Sequence, residues 1–399
     1  MKALVYHRPY DVRIDDKTHP TIQHPEDAIL RITSTAICGS DLHLYHGTVP
    51  GMQPGQTLGH EFMGVIEEIG PEVQDVQVGD RVVIPFNVNC GRCWYCNNNM
   101  WSQCDRANPK TKDIGAAYGY TQLLGGYDGG QAEYVRVPFA NAGASLKVPD
   151  HIKTDEQVLF LSDILPTGYF AADIANVQPG DDVAVFGAGP VGFFAVMSSF
   201  LKGAARVFSI DHWPMRLDRT KSLGAEIINF DEEDPVDRLR KETNGKGVIC
   251  IDAVGFEAVG HFAGYSSHIQ NNGNKSNNNN NVHHDHSTVS NPQYNPVNPL
   301  QVITWMAQIA KKYSTISIPG VYGSGYDQFP LGLLFNRNIQ IHMGQCPVKK
   351  YNEQLLHLVE TGRIDPTKVI SHTMKLNDAP RGYEGFDKKE EIMKIVLKP

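Results

Sequence analysis

No stretch of the chain approaches the ~18–20 consecutive apolar residues of a membrane-spanning helix, and no block of like charge interrupts it. Positive charge is in short supply: 36 Lys plus Arg stand against 44 Asp plus Glu, a formal net charge of −8. A mildly acidic chain is a poor partner for nucleic acid or for the anionic face of a membrane, and neither is expected. Cysteine is scarce and odd in number, seven residues, which argues against a disulfide framework. An internal repeat of fixed period is missing too. The opening residues, MKALVYHRPYDVRIDD, lack a long apolar stretch and turn charged early. They are expected to form a first strand, not a secretory signal. The terminal IVLKP carries no address, so a cytoplasmic location is expected.

What is present points to more than one folding unit. At roughly 150 residues per domain, 399 residues allow two or three. Up to about residue 150, short β-rich runs such as AILRITSTAI, FMGVIEEIG and DRVVIPFNV alternate with Gly and Pro, as in an all-β or irregular α+β domain. After Pro166 the pattern changes. DDVAVFGAGPVGFFAVMSSFLKGAARVFSIDH reads as strand, glycine turn, helix and strand, with VICIDAVG and TISIPGVYG as later buried strands. That alternation predicts a parallel, doubly wound α/β sheet. KKYNEQLLHLVETGRI reads as a helix followed by another strand pair. One segment breaks the composition: eight of the eleven residues from Asn271 to Asn281 are Asn, followed by His283, His284 and His286 and a Pro- and Asn-rich stretch to Pro299. Too polar to offset its chain entropy, it is expected to be a surface insertion, with weak metal binding by the histidines as the other reading.

Cys90, Cys93, Cys96 and Cys104 follow C-x2-C-x2-C-x7-C. Four thiolates at that spacing can close a tetrahedron around zinc and leave no open position, so the ion would hold a loop and do no chemistry. An iron–sulfur cluster and a pair of disulfides are the competing readings. Clustering in a chain without a secretory signal favours metal. A second set begins at Cys38-Gly39-Ser40-Asp41-Leu42-His43 and continues at Gly59-His60-Glu61. A thiolate and an imidazole alone are weak evidence, because a catalytic zinc needs a third protein ligand and an open position.

The run Gly59-His60-Glu61-x2-Gly64-x5-Gly70-x2-Val73 resembles the signature of the zinc-containing alcohol dehydrogenases of the medium-chain dehydrogenase superfamily, over nearly the whole chain. The resemblance implies that Cys38 and His60 are ligands of a catalytic zinc. In many members the third ligand is a Cys four residues before a Thr-Gly pair; here Asp163 stands there, within SDILPTGY. That substitution, with PFNVNCGRC, AYGY, GGQAEYV, DAVGFEA and NDAPRGY, is similar to the glutathione-independent formaldehyde dehydrogenase branch. A surface acid or a helix N-cap is the plain alternative for Asp163. By the same resemblance Glu61 sits behind the zinc, Asp41 orients His60, and Ser40 passes the alcohol proton through the cofactor ribose to His43 and on to water. Otherwise His43 is an ordinary surface residue.

Gly187-Ala188-Gly189-Pro190-Val191-Gly192 is a G-x-G-x-x-G run after an apolar strand and at the head of a helix, the context that makes the pattern informative for a dinucleotide; a tight structural turn is the plain alternative. Gly187 would make the turn, Gly189 admit the pyrophosphate and Gly192 let helix and strand close. Asp211, nineteen residues after Gly192, would hold the ribose hydroxyls and favour NAD over NADP; Arg216 would line the adenine side or, as the other reading, rescue some NADP binding. The resemblance adds Gly39, Thr167, Val254, Pro319, Gly320 and Val321 to the cofactor contacts. Cys250 reads as a core residue, and Cys346 is given no role.

The architecture implied is a GroES-like catalytic domain over 1–164, a Rossmann NAD-binding domain over 165–343 with the insertion at about 265–299, and a return to the catalytic domain over 344–399. The activity implied is zinc-dependent hydride transfer between a small alcohol, or an aldehyde hydrate, and NAD, with two zincs per chain and a homodimer or homotetramer. Polyol, threonine or S-hydroxymethylglutathione oxidation, or a non-catalytic NAD-binding protein, are the alternatives. The segment after GVYG is short for the formaldehyde dehydrogenase branch.

Overall fold

The computed structural model describes residues 1–111, 113–259, 298–323, 329–389 and 391–399. The Asn-rich run and His283, His284 and His286 lie outside the described residues. The opening segment forms a hairpin, where the sequence reading expects a single strand. β1 (Lys2–Arg8) and β2 (Asp11–Asp16) pair antiparallel. Between them Pro9 has no N–H to extend a ladder, and Tyr10 takes a left-handed φ of 61° that reverses the chain.

The β-rich part continues through β3 (Ala28–Ile37), α1 (Gly39–His46), β4 (Glu61–Ile69), β5 (Arg81–Ile84) and β6 (Asn87–Val88). There follow α2 (Trp94–Asn97), β7 (Ala116–Ala117), β8 (Tyr134–Val137), α3 (Ala140–Gly143) and β9 (Leu146–Lys147). β3 coincides with the run AILRITSTAI, rich in β-branched residues that suit a pleated, half-buried surface.

After α4 (Ile164–Ile174) the chain alternates: β10 (Asp182–Phe186), α5 (Pro190–Leu201), β11 (Arg206–Asp211), α6 (Pro214–Lys221), β12 (Glu226–Asn229), α7 (Pro235–Glu242) and β13 (Ile249–Asp252). Then come α8 (Gln301–Ile309), β14 (Thr315–Ile318), α9 (Leu331–Asn336) and β15 (Gln340–Met343). Among the described residues these strands form a six-stranded, wholly parallel sheet ordered β12-β11-β10-β13-β14-β15. The order reverses at β10, which opens a crevice beyond the carboxyl ends of β10 and β13, where nucleotides bind in such sheets. The inner strands read as continuous apolar runs because helices cover both faces.

α10 (Asn352–Glu360), β16 (His372–Lys375), α11 (Ala379–Asp387) and β17 (Ile395–Lys398) complete the chain. β16 and β17 return to the β-rich part. Among the described residues its main sheet runs β16-β17-β3-β4-β5-β9, with β8 also on β3. No helix among the described residues is long and apolar enough to cross a membrane.

The glycine turn joins β10 to α5. Gly187 sits at φ +92°, where a side chain is strained, and a Cβ on Gly192 would run into the carbonyl oxygen of Gly187. Pro190 opens α5 at its first position, where a missing N–H costs nothing. Gly192→Ala is expected to destabilise the protein by about 1–3 kcal/mol through overpacking. Urea unfolding would show it as a lower midpoint; an unchanged midpoint would mean that α5 moves off the turn freely.

Candidate functional site

Strand pairing assembles the first cluster. β3 and β4 run antiparallel with Ala36 opposite Glu61, so Cys38, just past the end of β3, and His60, just before β4, are brought side by side. Cys38 caps α1, its backbone N–H donating to Asp41 Oδ2 at 2.9 Å. Asp163 arrives from the start of α4. It does occupy the N-cap position, but its side chain makes no cap bond there. Instead its Oδ1 accepts from the Thr167 hydroxyl at 2.8 Å, and its Oδ2 lies 3.3 Å from His60 Nε2 and 3.9 Å from Cys38 Sγ. Donor atoms of Cys38, His60, Glu61 and Asp163 all lie within 4.8 Å of one another, and all four residues are buried. Ser40 Oγ is 3.3 Å from Cys38 Sγ and 3.2 Å from His60 Nε2.

The charges explain what this cluster accepts. Burial opposes charging His60, yet Asp41, Cys38 and Asp163 together hold its pKa well above the ordinary value. Burial likewise opposes ionising Asp163, but His60 and Thr167 keep its carboxyl below the usual range. Burial pushes the Cys38 thiol up. An imidazole driven toward its cationic form among acidic donors marks a place that requires positive charge. A divalent ion meets that requirement with His60 neutral, and sulfur, nitrogen and oxygen donors suit zinc. Asp41 Oδ1 lies 3.1 Å from His60 Nδ1, which favours a proton on Nδ1 and leaves Nε2 to face the cluster. Glu61 is held from behind: Lys394 Nζ reaches its Oε1 at 2.6 Å with both side chains wholly buried, and Oε2 has no hydrogen-bond partner.

The four-cysteine lobe forms a second cluster. Cys90, Cys93, Cys96 and Cys104 bring their sulfurs within 4.8 Å of one another as free thiols. The Cys90 backbone N–H donates to Cys104 Sγ at 3.3 Å. Hydrogen bonds from the Cys104 and Cys96 thiols lower the pKa of Cys90, and the same contacts raise those of Cys96 and Cys104.

On the cofactor side, Asp211 turns its carboxylate back on the glycine turn. Ala188 N–H donates to Oδ2 at 2.7 Å, and the N–H groups of His212 and Trp213 donate to Oδ1 at 2.7 and 3.0 Å. A Cβ on Gly189 would meet only Arg216 Nη1, at 3.7 Å. Open space beside a guanidinium at a helix N-terminus fits a pyrophosphate, and Arg216 stands beside the glycine turn. Val254 packs on Gly187, and Gly320 N–H donates to Asp252 O at 3.1 Å, bringing Pro319, Gly320 and Val321 alongside. Pro190 and Val191 begin α5 at the same turn. Gly39 opens α1 with no atom near an added Cβ.

The loop after β13 then crosses to α1. Glu257 Oε1 lies 2.9 Å from His43 Nδ1, at bonding distance but off the ideal direction, and 3.3 Å from His46 Nδ1. His46 Nε2 lies 2.7 Å from Asp387 Oδ1. Glu257, His46, Asp387 and Lys394 escaped the sequence reading. Lys394 had a usable signal, a single charge inside the apolar run IMKIVL; the other three carry no local mark. Lys389 was missed as well. Burial, with Arg216 nearby, lowers its pKa to about 8, which puts a second cation near the turn.

The profile of the alcohol dehydrogenase GroES-like domain matches residues 24–150. The chain is 41% identical over 404 residues to the uncharacterized zinc-type alcohol dehydrogenase-like protein AdhB of Bacillus subtilis, covering all of both chains. It is 36% identical over 410 residues to the glutathione-independent formaldehyde dehydrogenase of Pseudomonas aeruginosa, covering 97% of this chain and 94% of that one. Among solved structures, alcohol dehydrogenase TADH from Thermus sp. ATN1 superposes with a TM-score of 0.82 at 35% identity, over 100% of this chain and 99% of the other.

Two outcomes are expected. Lys394→Met strands the Glu61 carboxylate without its cation and should cost about 3–5 kcal/mol, read as a fall in the unfolding midpoint; a loss below about 1 kcal/mol would mean the pair is dispensable. The second concerns pH. Burial opposes charging His46, but Asp387 and Glu257 raise its pKa from 6.5 to about 9. A raised folded pKa gives stability that is complete below about 6.5 and lost as pH climbs through about 9. His46→Gln should remove that slope from unfolding curves taken across the interval, and an unaltered slope would count against the pairing.

Proposed function

The chain belongs to the zinc-type alcohol dehydrogenase family, and from that membership we propose that it oxidises a small alcohol, or an aldehyde as its hydrate, with NAD, in the manner of a formaldehyde dehydrogenase. The observation that carries this reading is the convergence of Cys38, His60 and Asp163 from three distant points of the chain, with Glu61 beside them, one oxygen held by Lys394 and the other unpartnered. Three protein donors are the number a catalytic zinc site uses. When bound, the zinc polarises the substrate oxygen and the nicotinamide accepts the hydride. Asp41 sets the His60 tautomer. Ser40 Oγ, beside both Cys38 and His60, receives the alcohol proton, and His43 moves it outward. Gly39, Thr167, Val254 and the segment Pro319–Val321 line the cofactor, and Gly187 to Gly192 with Arg216 hold its phosphates. The Asp211 carboxylate repels a 2′-phosphate, which supports NAD over NADP.

A second zinc at Cys90, Cys93, Cys96 and Cys104 is structural in this reading. The boundaries near 164 and 343 separate a catalytic domain, completed by 344–399, from a cofactor domain. Free thiols at two metal clusters suit a reducing compartment, and the cytoplasm is assigned on that ground. Self-association as a dimer or tetramer is supported by the edge strand β15 and the neighbouring α9, where Phe335 is 79% exposed, Leu331 67% and Met343 63%. The likeness to the formaldehyde dehydrogenase supports formaldehyde as the first substrate to try.

Wild type is expected to carry two zincs per chain by elemental analysis, and Cys38→Ser or Asp163→Ala one. Turnover in either variant should fall more than about a thousandfold, since a Lewis-acid metal supplies several kcal/mol. Full zinc content and wild-type rates in both would end the ligand assignment. Rates with formaldehyde with and without glutathione, short alcohols and sorbitol then identify the substrate. Asp211→Gly should raise the NADP-to-NAD rate ratio about tenfold or more, roughly the 1.4 kcal/mol of one charge contact; an unchanged ratio would refute its role.

A further inference from the structure

His43 and His46 stand three residues apart on α1, so both project from one face of the helix. Both present Nδ1 to the same oxygen, Glu257 Oε1, at 2.9 and 3.3 Å. An ionised carboxylate only accepts hydrogen bonds, so the bond to His46 requires a proton on that ring nitrogen, and the misaligned contact with His43 Nδ1 favours one there. His46 meets a second acceptor at its other nitrogen, Asp387 Oδ1 at 2.7 Å. Acceptors on both sides make His46 an imidazolium, which compensates the charge of Glu257 and Asp387. His43 faces the Glu257 oxygen at bonding distance but off the ideal direction, and Phe256 packs on its ring with centroids 4.6 Å apart.

We propose that Glu257 is a positioning residue for proton transfer: held by His46 and Asp387, its carboxylate keeps the His43 proton on Nδ1 and so leaves Nε2 as the accepting nitrogen. This rests on the dehydrogenase reading, in which His43 takes up the proton released at Ser40. The proton leaves a hydroxyl O–H and forms an N–H bond at Nε2, giving the imidazolium; the Nδ1–H bond stays intact beside Glu257, and the Nε2–H bond breaks when the proton passes to water. The carboxylate is ionised for this task. Burial opposes it, but the two histidines hold Glu257 well below the usual range. Tyr10 and Tyr45 pack on His46, and Lys389 and Tyr120 are the other titratable groups that feel Glu257.

Glu257 belongs to the loop after β13, whereas His43 belongs to α1. The same loop backs the glycine turn through Val254 and packs Gly255 against Gly320 and Val321. The orientation of a proton acceptor in the β-rich part is therefore set from the cofactor sheet.

The test compares zinc-loaded wild type, Glu257→Gln and Glu257→Asp, with histidine side chains labelled with 15N. Wild-type His43 should appear as the Nδ1–H tautomer. Glu257→Gln, whose amide can also donate, should show a mixture or the Nε2–H form, with kcat about 10–100-fold lower, the usual cost of losing an orienting partner, and KM for NAD within about twofold. Glu257→Asp should restore part of kcat. An active wild type whose Glu257→Gln variant keeps the Nδ1–H tautomer overturns the proposal alone, even if melting temperature drops and KM rises, because those changes report only a tie between the sheets. A zinc-loaded wild type inert toward every alcohol and aldehyde overturns the dehydrogenase reading as well.

Discussion

A carboxylate cannot be sealed from water without compensating charge, and three carboxyl side chains, Asp41, Glu61 and Asp163, are sealed together around His60 beside the Cys38 thiol. Much of the molecule follows from that constraint. Lys394 is carried back from beyond α11 to meet Glu61, and it lies directly before β17, whose pairing with β3 delivers it. Asp41 is pinned by the Cys38 backbone and by Gln131 Nε2 at 3.2 Å, so its other oxygen is aimed at His60. A demand for positive charge remains, seen in the raised pKa of His60.

The β-rich sheet supplies Cys38, His60 and Lys394, and the head of α4 supplies Asp163 and Thr167. Cys346, after β15, is buried close enough to Asp163 and Thr167 to feel both. Loops at the carboxyl ends of β10, β11, β13 and β14 face the same region, as expected of a parallel sheet at its switch point.

Residues marked by a dense local motif were legible in the sequence. Cys38, His60, the four-cysteine lobe and the glycine turn announce themselves by spacing, and β3 and β10 by unbroken β-branched and apolar runs. Asp163 was legible only through its resemblance to a branch, since nothing in SDILPTGY distinguishes a ligand from a cap; in the fold it occupies the cap position and turns its oxygens elsewhere. Glu257 and Asp387 were invisible because their meaning lies in partners 211 and 341 residues away from His46. The opening hairpin was misread as one strand because a single left-handed residue, Tyr10, reverses it, and tyrosine does not advertise that conformation as glycine does.

The bond between Glu61 and Lys394 spans 333 residues. During synthesis the entire parallel sheet leaves the ribosome before Lys394 exists, and domains fold as units in order of emergence. Until then the pocket around His60 lacks a cation that it needs when closed. Until the last strand closes, the Glu61 carboxylate is best left in contact with water, and sealing the pocket becomes the closing act of the fold.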